Sequence, residues 1–378
     1  YKVLQQGADH KRVPDNVADV PIIVGHEICG NILEVGANHL GKVQVGDKYS
    51  VQPALNLPGR EFDAPGYSFP YFGGHATKVI IPREVMDQDC LLPYNGESFF
   101  EASLAEPVSC VVGGFNVQYH FAHGSYEHKM GIAKDGNLIL MGGTGPMGLG
   151  AIDWALHGSR QPRRLVITDI DEARLKRASE LFTVEEAKQC GVEIHYVNTG
   201  GANPVQDLMD ITDGSGYEDV FVFAPVAPLI EQGSAIMGYN GCMNFFAGPS
   251  NTDFKATINF YDIHYAAHHV AANSGGNTAD MRESLKYMGE GKLKPAVMIT
   301  HIGGLNSSAD TIATLPDVPA GKKLVYTHSN LPMTALADFE SLGKENPFWA
   351  KLAEITANNQ GLWSLEAEQY LMANAPKI

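Results

Sequence analysis

Apolar runs and polar breaks alternate most sharply over residues 137–171, NLILMGGTGPMGLGAIDWALHGSRQPRRLVITDID. The run Leu138-Ile139-Leu140-Met141 leads into a glycine-rich turn, Gly143-Thr144-Gly145-Pro146-Met147-Gly148. A segment with helical spacing follows, then a second apolar run, Leu165-Val166-Ile167-Thr168, closed by Asp169. That order predicts strand, turn, helix, strand. Four more strands are predicted at residues 192–197, 219–223, 242–247 and 269–273, separated or followed by helical stretches such as 172–181 and 281–288. Six strands with helical crossovers predict a doubly wound parallel sheet in an α/β fold.

The pattern on either side is different. Apolar residues from Pro21 lead into the pair His26-Glu27, after which residues 31–36 alternate like a strand. Gly46-Asp47 reads as a turn, residues 51–66 are rich in Pro and Gly and predict a surface loop, and residues 73–82 predict another strand. A helix is expected after Cys110, linking this β-rich region to the glycine turn. Beyond Gly275, residues 297–301 and 323–326 predict short strands. The tail carries Phe339, Leu342, Phe348, Trp349, Leu352 and Ile355 at mostly helical spacing, which predicts docked helices with aromatic residues in the core. The expected organisation is one domain of residues 1–111 and 276–378 with a helical C-terminal extension, and a second of residues 112–275.

Composition narrows the function classes. A length of 378 residues suits two domains. A net charge of −16 with no offsetting basic stretch argues against nucleic acid as a partner, and requires any anionic substrate to find a local basic pocket. Five cysteines without paired spacing predict a reducing compartment. No apolar run reaches the length of a membrane span and no signal-like segment opens the chain, so the cytoplasm is expected and a membrane partner is not.

The glycine turn carries the first candidate chemistry. Gly143 is expected to make the tight turn, Gly145 to let the backbone approach a pyrophosphate, and Gly148 to bring the helix close to the sheet. The helix N-terminus then offers N–H groups to phosphate. Asp169, about twenty residues on, is suited to accept from both ribose hydroxyls and to repel a 2′-phosphate. Gly143, Thr144, Gly145, Pro146, Met147, Gly148 and Asp169 are thus the predicted cofactor-binding residues, and NAD is favoured over NADP. Arg163, Arg164 and Arg174 are near enough in sequence to temper that preference.

Gly25-His26-Glu27 followed by the Gly-x-x-x-x-Val-Gly stretch from Gly30 to Gly36 resembles the zinc-binding segment of the zinc-dependent medium-chain dehydrogenase/reductase family. Leu104-Ala105-Glu106-Pro107 resembles the third-ligand segment of its polyol dehydrogenase branch, and Gly73-Gly74-His75-Ala76 its Gly-Gly-x-Ala strand. The resemblance covers nearly the whole chain apart from the C-terminal extension. Longer segments are similar to the ketose phosphate reductases of the family: His10-Lys11-Arg12-Val13-Pro14, Pro53-Ala54-Leu55-Asn56-Leu57-Pro58, Pro65-Gly66-Tyr67-Ser68-Phe69-Pro70-Tyr71, Val222-Phe223-Ala224-Pro225 and Asn244-Phe245-Phe246-Ala247-Gly248-Pro249.

The resemblance implies a GroES-like β-rich catalytic domain beside a Rossmann coenzyme domain. It implies a catalytic zinc held by His26 and Glu106, with Glu27 as a ligand or a transient one. The implied reaction is NADH-dependent reduction of a ketose phosphate to the polyol phosphate, and its reverse, in a homodimer or homotetramer. The family's first ligand is a Cys ahead of the Gly-His-Glu segment, and none stands between Tyr1 and Gly25. The expectation is that the first part of the domain, and that Cys, are missing from this chain. Residues 51–66 contain no Cys, so no structural zinc is expected. Cys110 would lie one turn after Glu106 on a helix and is an alternative approach to the metal, whereas Cys29, Cys90, Cys190 and Cys242 are expected to be inert. Lys11 and Arg12 are candidates for the substrate phosphate, Arg60 and Arg282 lesser ones, and His75 and His301 candidate substrate contacts. Two other readings remain: an NAD-linked dehydrogenase of an unphosphorylated polyol or secondary alcohol, and a non-catalytic NAD-binding sensor.

Overall fold

The structure, a computed structural model, describes residues 1–122, 124–318 and 321–378. The chain forms two compact units. A split unit comprises Tyr1–Pro107, Asn277–Gly291 and Pro295–Ile378, and a central unit comprises Val108–Gly276 with Lys292–Lys294. The first division falls inside the helix Phe99–Val117, at Pro107.

The split unit begins with an antiparallel sheet of β1 (Cys29–Asn31), β2 (Lys48–Val51) and β3 (Leu91–Pro93). Its core gathers Ile28, Ile32, Val51, Leu55, Leu57, Phe72, Val85 and Leu91. Three expectations need correction here. Of residues 31–36, only Asn31 lies in a strand. Residues 73–82 form no strand, because Gly74 and His75 bond instead to the irregular segment before His26 (Gly74 N–H to Gly25 O, 2.8 Å; His75 N–H to Val24 O, 3.1 Å). Residues 51–66 are a surface loop only in part: residues 58–62 are exposed, whereas Val51, Leu55, Leu57 and Ala64 are buried. The Pro and Gly residues deny that segment a regular ladder, while burial of its apolar side chains still draws it into the core.

Along the chain, the central unit holds a hairpin of β4 (Tyr119–Phe121) and β5 (His128–Met130). It then forms β6 (Asn137–Met141), β7 (Arg164–Asp169), β8 (Glu193–Asn198), β9 (Tyr217–Val222), β10 (Met237–Phe245) and β11 (His269–Ala271). Among the described residues these six make one sheet of order β11-β10-β9-β6-β7-β8, with every pairing parallel. This is the doubly wound order, whose direction reverses between β6 and β9, so a ligand crevice is expected at the C-terminal end of β6. All of β6 is buried, as a strand covered on both faces must be. β10 starts earlier than its apolar pattern suggests, because a register break between Met237 and Cys242 lets the strand resume after Asn240 (φ 60°).

The chain returns to the split unit with β12 (Ile299–Gly304), β13 (Lys322–Tyr326) and β14 (Thr334–Ala335), in the order β13-β12-β14. In the tail, the helices Pro347–Asn358 and Leu365–Asn374 bury Trp349, Leu352, Ile355 and Leu371 along with Trp363 from their connection. Among the described residues no helix is long and apolar enough to cross a membrane.

Candidate active site

In the split unit, His26 follows a glycine with φ +93°. A Cβ at Gly25 would meet His75 Cδ2 at 2.5 Å, and one at Gly66 would meet His26 N at 2.7 Å. The backbone before His26 is therefore clasped between two segments, and only glycine fits at the contact. Glu106 comes from the Phe99–Val117 helix and is buried. Among the described residues, His26, Glu27 and Glu106 are the one set of three or more His, Cys, Asp and Glu side chains whose ligand atoms converge, all within 4.8 Å of one another. His26 Nε2 and Glu106 Oε2 are 4.0 Å apart. Ligands of a tetrahedral zinc at about 2.0–2.2 Å stand roughly 3.4 Å apart, so a small side-chain rotation closes that gap. One imidazole and two carboxylates also match zinc's preference for nitrogen and oxygen donors. The residues present fit the ion.

Two further side chains complete the cluster, and neither was a candidate from sequence. Lys322, the first residue of β13, pairs with the Glu27 carboxylate. Burial alone would raise Glu27, but the Lys322 ammonium and the His26 ring outweigh it and hold the carboxyl below its ordinary value. Tyr67 sets its ring centroid 5.1 Å from that of His26. On the other side it stacks with His10 at 5.4 Å and receives the Arg12 guanidinium 5.6 Å from its centroid. Burial pushes the Tyr67 phenol above its ordinary value, with Arg12 and Lys322 opposing and Glu106 and Glu27 adding to the shift. The signal available for Tyr67 was its place in the resemblance segment of residues 65–71; nothing marked Lys322.

The phosphate candidates separate clearly. Arg12 is half-buried and one aromatic ring away from His26. Lys11 is exposed, with its ammonium 4.7 Å over Phe62. Arg60 pairs with Asp63 and Glu84, and Arg282 with Asp89. His301 bonds to Thr300 at 2.8 Å, and His75 packs against Gly25. Cys110 follows Glu106 on the helix, but no cysteine is in the converging set. Cys29 instead donates its thiol to Phe99 O at 3.1 Å.

In the central unit, β6 runs into Gly142, which takes the left-handed backbone (φ 65°) and so makes the tight turn expected of Gly143. Gly143 serves differently: a Cβ there would meet Leu140 O at 2.7 Å. Gly145 opens onto free space, with no atom within 4 Å of where a Cβ would stand, and Pro146 begins the helix Pro146–His157. A Cβ on Gly148 would meet Gly143 Cα at 2.7 Å, so helix and turn are in contact. Thr144 donates its hydroxyl to Asp169 Oδ2, while Ile170 and Asp171 donate N–H groups to Oδ1 at 2.8 and 3.1 Å. The three nearby arginines are engaged elsewhere: Arg163 with Asn137, Arg164 with Glu193 and Arg174 with Asp171.

No protein-family profile matches the chain. Among curated proteins it is 48% identical over 373 residues to mannitol-1-phosphate 5-dehydrogenase of Aliivibrio fischeri, covering 98% of this chain and 88% of that one. It is also 48% identical over 378 residues to L-sorbose 1-phosphate reductase of Klebsiella pneumoniae, covering 100% and 89%. Among solved structures, 2R,3R-butanediol dehydrogenase from Bacillus subtilis superposes with a TM-score of 0.61 at 20% identity, over 81% of this chain and 80% of that one, which is a likeness of fold. With full-length relatives at this identity and the fold they imply, the chain belongs to the zinc-dependent medium-chain dehydrogenase/reductase family, as an oxidoreductase of the polyol and sugar-phosphate type.

Proposed function

We propose that the protein catalyses the zinc-assisted, NADH-dependent reduction of a ketose phosphate, L-sorbose 1-phosphate to D-glucitol 6-phosphate, and the reverse oxidation. The observation that carries this reading is the row Arg12, Tyr67, His26: a cation for phosphate stands one ring away from a metal-ligand cluster. When bound, zinc supplies a Lewis acid for the substrate oxygen and the nicotinamide supplies the hydride.

The chain's own residues do the rest. His26 and Glu106 present the ligand atoms, and Lys322 keeps Glu27 ionised and in place beside them. Arg12 offers a planar fork that matches phosphate oxygens, which Lys11, out over Phe62, is less well placed to assist. In the central unit, Gly145 leaves room for a pyrophosphate at the helix N-terminus. Asp169, fixed by Thr144 and two backbone N–H groups, favours a ribose with free hydroxyls. The pairing of Arg163, Arg164 and Arg174 with other groups supports NAD over NADP. β11 lies at the sheet edge with Val270 exposed, and we take this edge as the contact of a homodimer or a dimer of dimers.

The relative that acts on mannitol 1-phosphate favours a second substrate, D-fructose 6-phosphate, the ketone formed by oxidising that polyol at carbon 5. The test is NADH consumption by zinc-loaded protein with L-sorbose 1-phosphate, D-fructose 6-phosphate and unphosphorylated L-sorbose, repeated with Arg12→Ala. Turnover of L-sorbose 1-phosphate, with its KM raised at least tenfold by the substitution, is expected. Preference for D-fructose 6-phosphate would move the assignment to the other phosphate. Equal use of free L-sorbose would remove Arg12 from the site and leave a polyol dehydrogenase.

A further inference from the structure

The C-terminal helix Leu365–Asn374 buries a carboxylate, Glu368, that takes no part in the chemistry proposed above. Its two oxygens accept from the N–H groups of Phe99 (2.7 Å) and Phe100 (2.9 Å), and one of them also accepts from the Tyr326 hydroxyl (2.9 Å). Trp363 in turn donates its indole N–H to the Tyr326 oxygen at 2.8 Å. Phe99 and Phe100 open the helix that carries Glu106. The first N–H groups of a helix have no partner within it, and a carboxylate set against them is favoured by the helix dipole. Glu368 thus fixes the start of this helix. Glu106 lies seven residues on, about 10 Å along the axis and on the same face as Phe99.

The same contacts reach Glu27 by another route. Tyr326 and Lys322 are four apart on β13, so both side chains project from one face of the strand. Tyr326 holds Glu368 and Lys322 holds Glu27. The Cys29 thiol, two residues after Glu27, donates to the carbonyl of Phe99, whose N–H Glu368 binds.

We propose that Glu368 is a positioning residue for the metal centre: through the first turn of the Phe99–Val117 helix and through Tyr326 on β13, it sets the separation of the Glu106 and Glu27 carboxylates. This gives the C-terminal extension a role in metal binding. It rests on the reading of His26, Glu27 and Glu106 as zinc ligands.

The test is zinc affinity by competition with a chromophoric chelator, with the visible absorption of the cobalt-substituted protein as a second readout. Three variants are compared with the parent protein. Glu368→Gln puts a donor where an acceptor is needed, and Tyr326→Phe removes one of the three bonds to Glu368 together with the acceptor of the Trp363 indole N–H. Ser364→Ala removes the side-chain cap of the same C-terminal helix and leaves the Glu368 bonds alone. Glu368→Gln is expected to weaken zinc binding roughly 10–100-fold and shift the cobalt bands, as loss of outer groups around a metal site does. Tyr326→Phe is expected to act in the same direction by less, while Ser364→Ala lowers thermal stability with zinc affinity unchanged. Tight zinc binding by the parent protein with unaltered affinity and bands in both Glu368→Gln and Tyr326→Phe overturns the positioning role alone. Weaker binding in Ser364→Ala equal to that in Glu368→Gln also overturns it, by reducing the effect to general loosening. Failure of the parent protein to bind either metal overturns the zinc reading and this inference together.

Discussion

Thr144 and Asp169 are separated by 25 positions, and a strand, a turn and a helix bring them together by backbone geometry. Glu27 and Lys322 are separated by 295, and only a folded split unit brings them together. The glycine turn is a local structure in which the sensitive positions are Gly143 and Gly148, where a Cβ would meet backbone atoms. The metal cluster is assembled from distant segments, and its sensitive positions are the side chains that hold its carboxylates. One site should therefore fail through the backbone and the other through lost partners, each without the other.

The largest effect is expected from Glu106→Ala. It should abolish zinc retention and NADH-dependent turnover, while NADH binding, followed by nicotinamide fluorescence, stays at the parental level. Loss of NADH binding in the same variant would break the separation. Gly148→Ala attacks the other side. Its methyl group would press on Gly143 Cα at 2.7 Å. Overpacking of this kind costs roughly 1–3 kcal/mol, read as a lower urea midpoint together with weaker NADH binding. Zinc content should be unchanged, and a metal-depleted Gly148→Ala protein would count against two independent sites.

The smallest effect sharpens the comparison from within the central unit, which has a distant tie of its own. His120 places Nε2 3.1 Å from Asp219 Oδ1 and Nδ1 2.9 Å from Asn240 O, so both ring nitrogens face acceptors. Burial works against the charged ring, but these partners, Asp219 foremost, raise its pKa above the ordinary value. Because the folded value is the higher one, this stabilisation is fully present below about pH 6.5 and is lost as pH rises through the raised value. His120→Gln should flatten that part of the stability–pH curve of the central unit. An unchanged slope would mean the ring is neutral throughout.

The same contrast explains what could be read from the sequence. The inner strands β6, β7 and β9 were visible as apolar runs because each is buried along nearly its whole length, and the turn between β6 and β7 because its glycines sit at fixed offsets. Even there, Gly142 and not Gly143 takes the positive φ, while Gly143 is held close against Leu140. In the split unit, His26, Glu27 and Glu106 were recognisable only through family resemblance. Their spacing has no period, and Glu106 faces the cluster by virtue of a helix that begins at Phe99. Lys322 is a charged residue at a strand start, and Glu368 is one of two acids on its helix. Their partners are too far away in sequence for any local pattern to announce them. Residues 51–66 misled in part for a related reason, because Pro and Gly mark irregular backbone, which is exposed at residues 58–62 and buried on either side.

The pairing of Glu27 with Lys322 also has a consequence in time. At translation rates of about 5–20 residues per second, the 295 positions between them take roughly 15–60 s to synthesise. All of the central unit, to Lys294, is synthesised before Lys322 is made. During that interval every residue of the glycine turn is already present, while Glu27 still lacks its cation and the first turn of the Phe99–Val117 helix its carboxylate. A chain that ends between Lys294 and β13 would keep the Thr144–Asp169 contact while lacking both Lys322 and Glu368.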